Sequence, residues 1–320
     1  MKAWQVRRLG SPAEAMELVE LPDPVAGPGE LLVRVEACAL NFPDVLLAAG
    51  QYQERPELPF TPGLEVCGTV VGDSRRVIGG PPLPRGGLAE LTVLPERAAF
   101  DAPAGMPADE AAALLITYQT AYVGLHRRAA LQAGEWLLVH AGAGGVGSAA
   151  IQVGLAAGAR VVATAGGPEK VAVCRELGAH EVIDYRSEDI VARVKEVTGG
   201  RGADVVWDPV GGDVFDASRR CVAFEGRLVV VGFASGRIPS VPAGHVLVKN
   251  YSVVGLHWGL YRSVDPSVVA DAHEQLTRLY AAGGIRPLVS ERVPMAEAPA
   301  ALARLASRGT VGKVVVLPWS

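Results

Sequence analysis

Trp136-Leu137-Leu138-Val139-His140-Ala141-Gly142-Ala143-Gly144-Gly145-Val146-Gly147-Ser148-Ala149-Ala150 is the stretch that decides the fold. An apolar run ends in GxGxxG, and an alanine-rich amphipathic run follows it. That is the order strand, glycine turn, helix. Gly142 permits a tight turn, Gly144 lets backbone approach a pyrophosphate, and Gly147 lets the helix pack on the sheet. The amides of Gly145, Val146 and Gly147 open a helix whose N-terminus attracts phosphate. Leu137 to Ala159 carries no formal charge. Its glycines, with His140 and Gln152, favour a strand and a buried helix over a membrane span.

Outward from this turn, strands and helices alternate. Strands are predicted over 136–141, 160–165, 204–208, 227–232 and 251–256, with helices over 146–158, 168–178 and 267–283. The rhythm specifies a doubly wound parallel sheet. Ala108 to Leu125 reads as one alanine-rich helix. Upstream, Leu31–Ala37, Val66–Val71 and Arg76–Gly79 read as short strands between Pro/Gly clusters, which suggests a barrel-like β domain. Lys313 to Leu317 reads as a closing strand.

The second strand, Arg160–Ala165, ends at Gly166-Gly167-Pro168. An NAD-binding chain places Asp or Glu near there to hold the ribose 2′-hydroxyl. Here a glycine pair stands at the tip and Lys170 follows, which favours NADPH. Gly232-Phe233 closes a later strand and is placed to flank the nicotinamide.

The chain has 320 residues, room for about two domains. Lys and Arg total 30 and Asp and Glu 34, so net charge gives no reason to expect nucleic acid or an anionic membrane. Cys38, Cys67, Cys174 and Cys221 form no CxxC pair. Reduced thiols in a cytoplasmic protein are expected, since the opening residues Met1 to Arg8 contain no apolar run of a signal peptide.

Gly134-Glu135, the GxGGVG turn and Ala150-Ile151-Gln152 resemble the quinone oxidoreductase (zeta-crystallin-like) branch of the medium-chain dehydrogenase/reductase superfamily. So do Pro28 to Val35, Asn41-Phe42-Pro43-Asp44, Pro62 to Gly68, Asp208-Pro209-Val210-Gly211-Gly212 and Gly312-Lys313-Val314-Val315. Leu155 departs from the family, which often carries a basic or small polar residue there. The resemblance implies an α/β fold: a GroES-like β-barrel catalytic domain plus a Rossmann domain, with cofactor and substrate in the cleft. The boundaries expected are 1–115 for the first part of the catalytic domain, 116–256 for the NADPH-binding domain and 257–320 for the C-terminal return. Tyr185 and Arg308 would join Lys170 on the 2′-phosphate, and Thr120 would lie near the nicotinamide.

Zinc-dependent members of the superfamily place ligands where this chain has Asn41, Leu64 and Ala112. An amide, an alkyl group and a methyl cannot hold catalytic zinc, so no metal is expected. Hydride transfer to an already electrophilic small molecule needs orientation and one or two hydrogen-bond donors. Asn41 and Tyr52 are the candidate donors on the 38–52 loop, with Thr120 as a third catalytic candidate; Asp44 is expected to orient the loop. The acceptor is read as a quinone, with enones or enoyl thioesters as the alternative. A non-catalytic NADPH-binding role, crystallin-like or RNA-binding, is the alternative of another class. Strand 250–256 is apolar and free of proline, and it should lie at a bare sheet edge. A homodimer paired through it is expected, as the resemblance also implies.

Overall fold

The computed structural model describes residues 1–320. Seven strands precede residue 117: β1 (Lys2–Val6), β2 (Met16–Glu20), β3 (Glu30–Ala39), β4 (Val66–Val70), β5 (Arg76–Gly79), β6 (Leu91–Pro95) and β7 (Ala99–Asp101). Six follow: β8 (Trp136–Val139), β9 (Arg160–Ala165), β10 (Glu181–Asp184), β11 (Ala203–Asp208), β12 (Val222–Val230) and β13 (Ser252–Gly255). The last two are β14 (Val289–Pro294) and β15 (Lys313–Leu317).

The chain forms two compact units. One is Met1–Ile116 with Pro287–Ser320, the other Thr117–Arg286. The first holds a seven-stranded sheet in the order β14-β15-β3-β4-β5-β7, with β6 also on β3. The long strand β3 is its spine: it pairs antiparallel with β4, β6 and β15. Val33, Val35, Cys38, Val66, Val77, Leu94, Val314 and Val316 fill its core.

The second unit is a six-stranded parallel sheet in the order β10-β9-β8-β11-β12-β13. Counted within the unit this is 3-2-1-4-5-6, the dinucleotide-binding order. Strand order reverses between β8 and β11, so the carboxyl ends of those two strands open a crevice. Leu137, Leu138, Val139, Val161, Val162, Ala163, Val205 and Val206 have no exposed surface. Such uninterrupted apolar runs suit strands covered on both faces.

Three expectations need correction. The strand β10 was not anticipated; four residues with only Val182 and Ile183 buried carry too short a pattern. The 108–125 helix is three pieces, Ala108–Ala112, Ile116–Tyr122 and a π-helical stretch Val123–Arg128. The interruption comes where Ile116 N–H is taken by Glu65 Oε2 at 2.7 Å. The residues 257–286 belong with the parallel sheet, not with the C-terminal return. Helix Pro266–Ala281 buries Val268, Val269, Ala272 and Leu276, Arg127 pairs with Asp265 at 3.4 Å, and Arg286 N–H donates to Gln152 Oε1 at 2.6 Å. As expected, the uncharged span 137–159 divides into β8 and helix Gly145–Ala156, and no helix is long and apolar enough to cross a membrane.

Candidate functional site: a glycine turn, a cationic strand tip and a buried polar cluster

The glycine turn leaves β8 at the switch point. Gly142 N–H donates to Thr164 O and Gly144 N–H to Ala141 O, both at 2.9 Å, which ties the turn to β9. Ala141, not Gly142, carries the left-handed backbone, with φ of 51°. Gly142 is needed for space instead: a Cβ there would lie 2.8 Å from Cys174 Sγ and 3.0 Å from Ala163 Cβ. A Cβ on Gly147 would collide with the Ala141 carbonyl, so only glycine lets the helix start this close to the strand. Gly144, Gly145 and Val146 stay half-exposed. The first-turn amides have no intrahelical acceptor and face accessible surface. This cradle fits the diphosphate of a dinucleotide.

His140, next to the turn, is fully buried. Its Nε2 lies 2.8 Å from Ser218 Oγ and its Nδ1 3.0 Å from Thr164 Oγ1. Ser218 donates its own hydrogen to Val214 O, so it accepts from Nε2–H, and Nδ1 accepts from Thr164. Burial holds the ring below the usual histidine range, hence neutral. It ties β8 to β9 and to helix Gly212–Cys221.

At the tip of β9, Gly167 (φ 92°) caps helix Pro168–Glu176, whose first turn carries a half-buried Lys170. The parallel register sets Asp184 opposite Ala165 and so brings in the chain leaving β10. A Cβ on Gly166 would strike the Tyr185 ring, and one on Gly167 would lie 2.9 Å from Arg186 Nη1. The structure thus brings Tyr185 to the glycine pair, sets Lys170 in the helical turn that Gly167 caps, and adds Arg186, which sequence reasoning missed. The only available signal was its adjacency to Tyr185. It also corrects the expectation of a tip without carboxylates. Asp184 Oδ1 accepts from Gly167 N–H and Arg186 N–H, each at 3.0 Å, and these amides, with the Arg186 charge, hold its pKa below the usual range. Glu169 stands exposed in the same helical turn.

Gly232 and Phe233 follow β12 beside the β11 loop: Ala234 N–H donates to Pro209 O at 3.0 Å, and Phe233 is 38% exposed. Thr120 lies buried on helix Ile116–Tyr122. Asp208, at the carboxyl end of β11, is buried; its Oδ1 accepts from Val210 and Gly211 amides while its Oδ2 has no partner. Arg308 lies on an exposed left-handed turn of the first unit, after helix Ala298–Ala306.

The first unit carries a polar cluster. Lys313, 3% exposed, donates from Nζ to Leu40 O, Asn41 Oδ1 and Glu65 Oε1, each at 2.7 Å. Asn41 Nδ2 donates to Ala39 O at 3.1 Å and Glu65 Oε1 at 2.9 Å. Asp44 accepts from Asn41 N–H at 2.8 Å and Gly63 N–H at 2.9 Å, as a loop-orienting residue should, and burial pushes its pKa up to about 6. Asn41 therefore has no donor left for a ligand, and its expected role is withdrawn: both amide hydrogens are committed inside the unit. Tyr52 differs. It is half-buried against the core, no hydrogen bond engages its hydroxyl, and burial raises its pKa, so it retains a proton to donate. Of the other two places where zinc ligands would stand, Leu64 packs on the core and Ala112 is fully buried. With Lys313 on Asn41 Oδ1, this donor set does not fit a metal ion.

Residues 27–104 match the alcohol dehydrogenase GroES-like domain, and residues 145–276 the zinc-binding dehydrogenase family. The chain is 39% identical to a quinone oxidoreductase-like protein 2 homolog of Nematostella vectensis, over 91% of this chain and 82% of that one. It is similar to the structure of a Thermus thermophilus quinone oxidoreductase, solved also with NADPH: 40% identity, TM-score 0.89, covering 99% of this chain and 100% of that one. The NADPH complex of an Escherichia coli quinone oxidoreductase has 30% identity, TM-score 0.92 and the same coverage.

Proposed function

We propose that this chain, which belongs to the quinone oxidoreductase branch of the medium-chain dehydrogenase/reductase superfamily, is an NADPH-dependent reductase that passes hydride to a quinone without a metal. The observation that carries the reading is the tip of β9. There a glycine pair, rather than a carboxylate side chain, ends the strand; Tyr185 and Arg186 pack against it, and Lys170 stands in the first helical turn that follows. Cations at that place select a 2′-phosphate over a free 2′-hydroxyl. Gly142, Gly144, Gly145, Val146 and Gly147 would hold the diphosphate on the helix N-terminus, with Gly232, Phe233 and Thr120 toward the nicotinamide.

When bound, NADPH supplies the hydride. The residues of this chain then need only orient an acceptor and meet the negative charge that hydride leaves on it. Tyr52 is assigned that role, because its hydroxyl is protonated and uncommitted. A quinone suits such a site, since its conjugated carbonyls spread the charge without a Lewis acid. All four cysteines are unpaired and buried, which supports a cytoplasmic setting.

NADPH oxidation by purified protein, followed with a quinone panel and an enone panel in parallel, tests the assignment. Quinone turnover that survives a strong chelator is expected. Turnover of enones alone would replace the substrate class. Tight NADPH binding with no oxidation in either panel would make the chain a non-catalytic binder.

We further propose a homodimer through β13. That strand ends the sheet and pairs within the chain only with β12, so its other edge is open to a second copy. Light scattering should give twice the 33.3 kDa chain mass, and Val253→Pro should lower it. A monomer at micromolar concentration would remove this interface.

A further inference from the structure

We propose that Arg186 is a specificity-determining residue for the cofactor, gripping the 2′-phosphate, and that Asp184 positions it. The inference rests on the NADPH reading above and adds to it a residue that the sequence motifs do not single out.

The placement follows from strand register. Tyr185 N–H donates to Ala165 O at 3.1 Å, so the chain leaving β10 is held against the end of β9. One residue before it, the Asp184 carboxylate takes the amides of Gly167 and Arg186 on a single oxygen. That bond clamps the two strand ends together and fixes where the Arg186 side chain begins. Its guanidinium then lies over Gly167, with Nη1 2.9 Å from where a Cβ would be. Gly167 is therefore constrained twice, by its positive φ and by the arginine lying over it.

The guanidinium has donors to spare. No ion pair holds the Arg186 guanidinium, and Asp184 turns one oxygen, Oδ1, to the two amides. Glu188, the next acid along the chain, is held by Arg193 at 3.0 Å and by the Asp184 amide at 2.9 Å. An exposed arginine held in no ion pair, lying over the glycine that caps the helix carrying Lys170, presents a fork of donors at the strand tip. The fork matches two phosphate oxygens at once, which a lysine cannot do.

Calorimetric titration of the full chain tests this, with NADPH, NADH and 2′,5′-ADP as probes. The last carries the phosphate without the nicotinamide. Arg186→Ala should weaken NADPH and 2′,5′-ADP by about tenfold or more and leave NADH within about twofold. Arg186→Lys should recover part of the loss. If Lys170→Ala weakens NADPH and Arg186→Ala does not, the phosphate rests on Lys170 and the inference falls while the NADPH reading stands. If Arg186→Ala weakens NADPH and NADH equally, the arginine shapes the turn and does not read the phosphate, and the inference falls. If the unaltered protein binds NADH as tightly as NADPH and ignores 2′,5′-ADP, the NADPH reading itself falls and takes the inference with it.

Discussion

Around Lys313 in the first unit, the ammonium, both Asn41 amide hydrogens and all four carboxylate oxygens of Asp44 and Glu65 find partners within that unit. Around Gly167 in the second unit, Arg186 reaches the surface with donors uncommitted, and the amides opening helix Gly145–Ala156 have no carbonyl to bond. Both clusters join charged side chains from distant parts of the chain, but they stand in opposite energetic positions. The first is dry, and its satisfied bonds offset the cost of burying charge. The second is wet and has surrendered little solvation, so its charge is available to a ligand. Polar residues that attract notice in a sequence thus divide by saturation: Asn41 is scaffolding, and Arg186 is ready to bind.

The sharpest way to break this contrast is Lys313→Met. It leaves Glu65 charged and buried without its cation, and should cost about 3–5 kcal/mol of stability in chemical unfolding. Adding Glu65→Gln should recover part of that. A loss below about 1 kcal/mol would show that water reaches the cluster.

Asp44 offers a test of comparable size that works through pH. Its folded pKa of about 6 lies above the ordinary aspartate value of 3.8. The proton is therefore held more tightly in the folded state, and the stability it contributes is full below pH ~4 and gone above pH ~6. By linkage the fall is about 3 kcal/mol. The stability advantage of the unaltered protein over Asp44→Asn should shrink by that amount across the window. Parallel pH profiles for the two proteins would mean that Asp44 is ionised throughout.

At the small end stand the wet residues. Lys170→Ala and Arg186→Ala should each move unfolding stability by less than about 0.5 kcal/mol even where they impair NADPH binding. A larger loss from either would place it in the scaffold beside Lys313 and erase the distinction.

Much of this was legible in the residues. The turn 142–147, the lysine at 170 and the parallel-sheet rhythm all follow from local pattern, because a glycine's tolerance and a strand's apolar run are properties of a few consecutive residues. The edge position of β13 was legible too, as the last strand of an alternating series. Arg186 was not, because its meaning comes from the register between β9 and β10, and β10 is too short to announce itself. Nor was the commitment of Asn41: its partners are 24 and 272 positions away. The C-terminal boundary was misplaced by about thirty residues, since helix Pro266–Ala281 shows a clear apolar face without saying which unit covers it.

By itself the sequence determined the two kinds of sheet, the phosphate-cradling turn and the want of metal-binding side chains at Asn41, Leu64 and Ala112, all of which depend on residue type and near spacing. Tertiary structure alone decided which polar groups are spent and which are free. That depends on the partners each side chain meets once distant strands are in register, and on whether water remains to solvate it. Glu65 and Lys313 are surface-type residues in any composition count, yet they lie at 0% and 3% exposure, because β15 pairs with the end of β3 while the chain entering β4 bonds that same end through Ala39 N–H on Glu65 O.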